Sequence, residues 1–123
     1  MENGIERMSY PERKVADFLK KMNIEWIYEK PVFVWDDDGR PRVWAPDFYL
    51  NQFGVFIEVC GSSDFNYDYR KRIFTQNGYC VIFLHVFKRT EKWECYFEKC
   101  LYHFISQKNK AFSFFQSRNI KIS

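Results

Sequence analysis

Histidine, cysteine and long apolar runs are all scarce in this chain, and each scarcity removes a class of protein. Only His85 and His103 could offer imidazole, and the cysteines are Cys60, Cys80, Cys95 and Cys100. No two cysteines form a C-x-x-C pair and the histidines stand at no zinc-ligand spacing, so neither a structural zinc site nor a dithiol motif is expected. The thiols read as free and buried. No apolar run reaches the roughly 18 residues that a membrane span needs. The first residues are polar and charged, unlike a signal peptide, so a cytoplasmic protein with no membrane partner is the expectation. Repeats, low-complexity tracts and linkers are missing too, which points to one domain over residues 1–123. An excess of either charge is also lacking. The net charge of +3 permits a nucleic-acid partner without demanding one.

What the chain does have is aromatic bulk. Hydrophobic residues make up 46% and aromatics 21%, enough for a sheet and two or three helices around one large core. Ser9, with Glu12 three residues later and Pro11 in the first turn, has the pattern of a capping box. Val15, Ala16, Leu19 and Met22 follow at helical spacing. Residues 24–35 read as a strand, with Pro31 hinting at an edge or bulge. Asp36-Asp37-Asp38-Gly39 is a turn; it starts like a calcium loop but lacks the alternating acids and closing Glu. A hairpin is expected over residues 42–61, then a polar loop over 62–66 and a helix over 67–77 ended by Gly78. The apolar run 79–86 suits a buried central strand. Thr90 can cap a last helix whose apolar face is Trp93, Tyr96, Phe97, Cys100, Leu101 and Phe104. The core spans about residues 9–105, leaving a mixed Phe and basic tail over 106–123 that the pattern does not place. The order is α-β-β-β-α-β-α. A helix joining two strands makes part of the sheet parallel, so a mixed α/β architecture with flanking helices is predicted.

The chemistry concentrates in the hairpin. Pro46-Asp47-Phe48-Tyr49-Leu50 and Val55-Phe56-Ile57-Glu58-Val59-Cys60-Gly61 flank the four-residue turn Asn51-Gln52-Phe53-Gly54. If Leu50 pairs with Val55, Asp47 lies opposite Glu58, with Cβ atoms roughly 4.5–5.5 Å apart. Two carboxylates so close repel unless a proton or a cation lies between them. Parity sets Asp47, Tyr49, Phe56, Glu58 and Cys60 on one face, and Phe48, Leu50, Ile57 and Val59 on the other, towards the main core. Arg70, Lys71 and Arg72 form a basic triplet; Lys88, Arg89 and Lys92 form a looser patch.

Pro46-Asp47, then Glu58-Val59-Cys60 with Gly61, resembles the PD-(D/E)XK signature of restriction-endonuclease-like nucleases. The element order resembles the αβββαβ core of that fold. The segments Tyr67-Asp68-Tyr69-Arg70-Lys71 and Gly78-Tyr79-Cys80-Val81-Ile82 are similar to small proteins related to very-short-patch repair endonucleases. The resemblance implies a metal-dependent endonuclease hydrolysing phosphodiester bonds, with DNA rather than RNA as partner. It implies Mg²⁺ or Mn²⁺ held by Asp47 and Glu58, with the Val59 carbonyl as a third ligand and Glu12 acting through a water or on a second ion. A hard cation with few protein ligands suits this chemistry. One position departs from the pattern: Cys60 stands where the family usually carries lysine. A thiol cannot replace an ammonium facing phosphate, so Arg70 or Lys71 is the candidate for a relocated cation, and Arg cannot act as a base.

Plainer readings stand beside these. Asp47 and Glu58 could belong to a solvated face paired with Arg or Lys. Glu12 already has work in the capping box. Arg70, Lys71 and Arg72 could be a solvated helix face, and Tyr67 and Tyr69 could pack against the core or stack on bases. Two alternatives to a nuclease therefore remain: a nucleic-acid-binding module without catalysis, and a structural subunit that dimerises through aromatic surface.

Overall fold

The computed structural model describes residues 6–61, 65–86 and 90–117. Its elements are α1 (Tyr10–Lys21), β1 (Ile27–Tyr28), β2 (Val32–Trp35), β3 (Pro41–Trp44), β4 (Phe48–Leu50), β5 (Val55–Cys60), α2 (Asp68–Gln76), β6 (Val81–His85) and α3 (Thr90–Ser117). A four-stranded sheet runs β1-β4-β5-β6, and β2 with β3 forms a separate two-stranded ribbon. β4 is antiparallel to both its neighbours, β1 and β5, while β5 and β6 are parallel across the α2 crossover. This is a mixed α/β architecture with helices on both faces. Among the described residues no helix is long and apolar enough to cross a membrane. The loop at 62–64, Lys88 and Arg89 of the looser basic patch, and the Thr90 side chain expected as a cap lie outside the described residues.

Hairpin register follows the alternation of the sequence. Leu50 pairs with Val55, Tyr49 with Phe56 and Phe48 with Ile57. The pairing ends there, one residue short of Asp47 and Glu58. Phe48, Leu50, Val55 and Ile57 pack with Val15, Ala16, Phe18 and Leu19 of α1 and Trp93 and Phe97 of α3. Phe18 meets Trp93 and Phe97 edge-on at 5.2 and 5.6 Å, a favoured aromatic geometry. On the other face Phe56, Cys60 and Phe83 pack under Ile73 and Phe74 of α2 and Val32 and Val34 of the ribbon. Both sheet faces are therefore covered.

Several expectations are corrected. The single strand over 24–35 is two, because Glu29 adopts a left-handed φ of 56° and Pro31 cannot donate to a ladder. The hairpin does not extend back to residue 42: β3 turns back on β2, with Trp35 facing Pro41 across the Asp36 turn, and Pro46 interrupts the chain before β4. Met22 is the C-cap of α1 and 43% exposed, while Phe18 takes the buried position. Helix α3 continues through the segment read as a tail, to Ser117. Tyr96 is 46% exposed and so lies off the apolar face to which its spacing assigned it. Of the four free thiols only Cys60 is fully buried; Cys95 is exposed.

Candidate active site

Three elements deliver the acids. Ser9 caps α1, accepting the Glu12 N–H, and Glu12 Oε1 accepts the Ser9 N–H in return at 3.0 Å. The capping box thus fixes Glu12 at the start of α1. That end lies close on the end of β5: a Cβ built on Gly61 would stand 3.3 Å from Pro11 Cγ. Asp47 immediately precedes β4, and its Oδ2 accepts the Val59 N–H at 2.7 Å. Glu58 is in the middle of β5, its side chain only 12% exposed.

The three carboxyls feel one another. Asp47 and Glu12 hydrogen-bond through their side chains, which two carboxyls can do only by sharing a proton. Burial, then the Glu12 contact and the Glu58 charge, push Asp47 up to about 8, against the opposing pull of the Val59 N–H. Burial also pushes Glu12 upward, but its hydrogen bonds with Asp47, Ser9 and Tyr28 outweigh this and leave it lowered. The proton therefore belongs to Asp47, donating to a Glu12 carboxylate. Tyr28 O–H donates to the same Glu12 Oε1 at 2.8 Å. Glu58 is raised by burial, with the Arg70 charge opposing and Glu12 reinforcing.

Arg70 reaches Glu58 from α2. Its Nε lies 3.2 Å from Glu58 Oε2, an ion pair rather than an aligned hydrogen bond, since Nε has no hydrogen-bond acceptor among the described residues. The guanidinium lies 4.5 Å from the Trp44 ring centroid and 5.4 Å from that of Phe74. Glu58 Oε1 is buried and has no hydrogen-bond partner among the described residues.

The other expected site residues divide. Cys60 faces as parity requires but is fully enclosed. Burial and the charges of Glu58 and Asp47 push its thiol up to about 12, so it is a neutral SH at physiological pH. Val59 engages the site through its N–H. Lys71 is exposed and lines a cavity with Phe83 and Tyr96. Arg72 forms a two-point ion pair with Asp37 at 2.8 and 2.9 Å, tying α2 to the ribbon turn. Tyr67 packs on Phe65, Phe83 and His85, and Tyr69 lies edge-on to Trp44 and beneath Arg72. Asp36 closes its own turn, accepting the Asp38 and Arg40 N–H groups and Arg42 Nε; it is no calcium loop.

Sequence reasoning missed Tyr28 and Trp44. The signal for Tyr28 was an aromatic with a polar tip in a strand beside an acid, since a half-buried Tyr hydroxyl usually finds a partner. Trp44, three residues before Asp47, gave no signal without knowledge that the ribbon folds back over α2.

Hard oxygen donors suit Mg²⁺ or Mn²⁺. The unpartnered Glu58 Oε1 and the shared proton on Asp47 are what a divalent cation would satisfy and displace. Among the described residues, no group of three or more acidic, Cys or His side chains is already gathered as a metal cage. Comparison of the chain with family models, curated proteins and solved structures finds no match.

Proposed function

We propose that this protein is a metal-dependent nuclease of the restriction-endonuclease-like type, hydrolysing phosphodiester bonds in DNA. The observation that carries the reading is the contact of Asp47 with Glu12 within reach of the Glu58 charge, beside Arg70, with one buried Glu58 oxygen that has no hydrogen-bond partner among the described residues. The topology supports it as well. With the β2–β3 ribbon set aside as an insertion, α1-β1-β4-β5-α2-β6 gives the αβββαβ order.

Asp47 and Glu58 would hold Mg²⁺ or Mn²⁺, and Glu12 would support it through Asp47. The bound cation supplies charge neutralisation at the phosphate and makes a nearby water more acidic. Arg70 gives the fixed positive charge that lysine supplies elsewhere in the family. Being permanently charged, it stabilises negative charge and moves no proton. A cation on Asp47 would displace the proton that Asp47 holds towards Glu12, leaving Glu12 as the carboxylate that could accept a proton beside the site. Cys60, enclosed and neutral, takes no part.

The test is cleavage of plasmid and single-stranded DNA with Mg²⁺ or Mn²⁺, beside Asp47→Ala. Metal-dependent cleavage that Asp47→Ala abolishes is expected; cleavage equal in both would overturn the assignment. The buried Cys60 at the lysine position favours a second reading, a binding module of the same fold without catalysis. Metal-independent, salt-sensitive DNA binding without cleavage would select it.

A further inference from the structure

A second feature lies away from the carboxylates, along the outer edge of the sheet. β6 is an edge strand, and α2 and α3 rise on either side of it. Three adjoining cavities of about 370, 240 and 450 Å³ follow that edge, and Tyr96 lines all three. They form one groove.

Its lining has a consistent chemistry. Lys92, Tyr96, Lys99 and His103 recur at helical spacing on one face of α3 and all line the groove. Lys92 and Lys99 are two turns apart, roughly 10 Å along the axis. Lys71 faces them from α2. These three lysines are exposed, and none makes an ion pair among the described residues, whereas Arg70 and Arg72 are both paired. Among the described lining residues Asp68 is the one carboxylate. The exposed ring of Tyr96 sits between the two α3 lysines. His85, which lines the groove, is the β6 neighbour of Cys60 on β5, two residues beyond Glu58.

We propose that this groove binds a single-stranded nucleic acid, its phosphates on Lys71, Lys92 and Lys99 and a base stacked on Tyr96. Unneutralised cations at a spacing suited to a charged backbone, with an exposed aromatic between them, are what sequence-tolerant single-strand binding uses. The bases of a duplex are already paired and stacked on one another, so an unpaired strand is what can offer a base to Tyr96. The inference rests on the nuclease reading for its purpose, since it makes a single-stranded or frayed segment the substrate class. Its test does not depend on that reading.

Binding is measured by fluorescence anisotropy in EDTA. The probes are labelled oligothymidylate of about 12 nucleotides, within the usual range of site sizes, and a duplex of equal length. The single strand should bind more tightly. Lys92→Gln with Lys99→Gln should weaken it at least tenfold at low salt and reduce the salt slope by about 1.4, near 0.7 per lost phosphate contact. Tyr96→Ala should weaken it about fivefold or more with little change in slope, and Tyr96→Phe should restore it. Circular dichroism verifies that each variant is folded. Asp47→Ala should bind as wild type while losing cleavage, which separates failure of the groove from failure of the nuclease reading. Equal or tighter duplex binding, or unchanged binding by the folded variants, would overturn the proposal. So would a polyglutamate peptide that competes as well as unlabelled oligonucleotide, because it would make the groove a site for acidic peptide.

Discussion

At the scale of single residues, Asp47 departs furthest from its solution behaviour. Its folded value lies near 8 against an ordinary 3.8. Between those values the folded chain keeps a proton that the unfolded chain has lost, so stability falls as pH rises through that window. Glu12 is shifted the other way, and its contribution is lost only as pH falls below its ordinary value. Urea unfolding in EDTA should therefore show stability declining from about pH 5 to pH 8, with Asp47 contributing at most about 1.4 kcal/mol per pH unit and Glu58, also raised, adding in the same direction. Asp47→Asn should flatten that decline; an unchanged slope would remove Asp47 as the proton holder. Arg70 and Cys60 make a second contrast. Arg70 is held between Glu58 and the face of Trp44, so Arg70→Ala should lower cleavage about a hundredfold, in the range of losing one preorganised electrostatic group. Arg70→Lys should recover little, because a compact ammonium on a flexible stem does not reproduce the stacked planar fork. Cys60→Ala should leave the rate within severalfold. A large loss there would show that the enclosed thiol acts in the chemistry.

At the scale of elements, what the sequence revealed depended on whether a local rule decided the matter. The capping box at Ser9 and Glu12 and the alternation through residues 48–60 are local, and both hold in the structure. The departure of the chain at Glu29 and Lys30 into a separate ribbon is not local. Long-range bonds fix it: Asn77 pairs with Trp35 through both its amide groups, and Tyr79 O–H donates to the Phe33 carbonyl. Those partners lie over forty residues apart in sequence, beyond the reach of any periodicity. The site divides the same way. The Leu50–Val55 register that sets Asp47 within reach of the Glu58 charge was readable from strand parity and turn length, and Arg70 from its place on the following helix. The burial of Cys60 and the stacking of Arg70 on Trp44 required the ribbon. The β4–β5 turn makes a test at this scale. Gly54 has a φ of +69°, and a Cβ there would meet Lys108 Nζ at 2.7 Å, the group that donates to the Phe53 carbonyl at 2.6 Å. Gly54→Ala should cost about 1–2 kcal/mol from the left-handed backbone, plus a smaller loss from the displaced Lys108 contact. In a Lys108→Ala background the second part should vanish and the first remain, as read by denaturant midpoints. Full additivity of the two substitutions would show that the lysine does not brace the turn.

For the whole molecule, the proposed metal site would link cation binding to folding at the same carboxyls. Glu12, Asp47 and Glu58 come from α1, the entry to β4 and β5, and they come together only when the sheet and α1 are assembled. A cation that needs all of these elements binds the folded state and not the unfolded one. It should stabilise the fold by RT ln(1 + [L]/Kd), about 2.7 kcal/mol at a hundredfold excess over Kd. It must also displace the proton shared by Asp47 and Glu12, so binding should release a proton and tighten as pH rises towards 8. Thermal melts with Mn²⁺ should therefore show a larger gain at pH 8 than at pH 6, the reverse of the decline expected in EDTA. Asp47→Asn combined with Glu58→Gln removes both the displaced proton and the unpartnered oxygen, and should abolish the Mn²⁺ shift at both pH values. Titration calorimetry in two buffers of different ionisation enthalpy would count the released protons independently. Equal Mn²⁺ binding by wild type and the double variant, with no proton released, would place the metal elsewhere. The acid cluster would then be a proton-holding structural pair, and the catalytic reading would lose its centre.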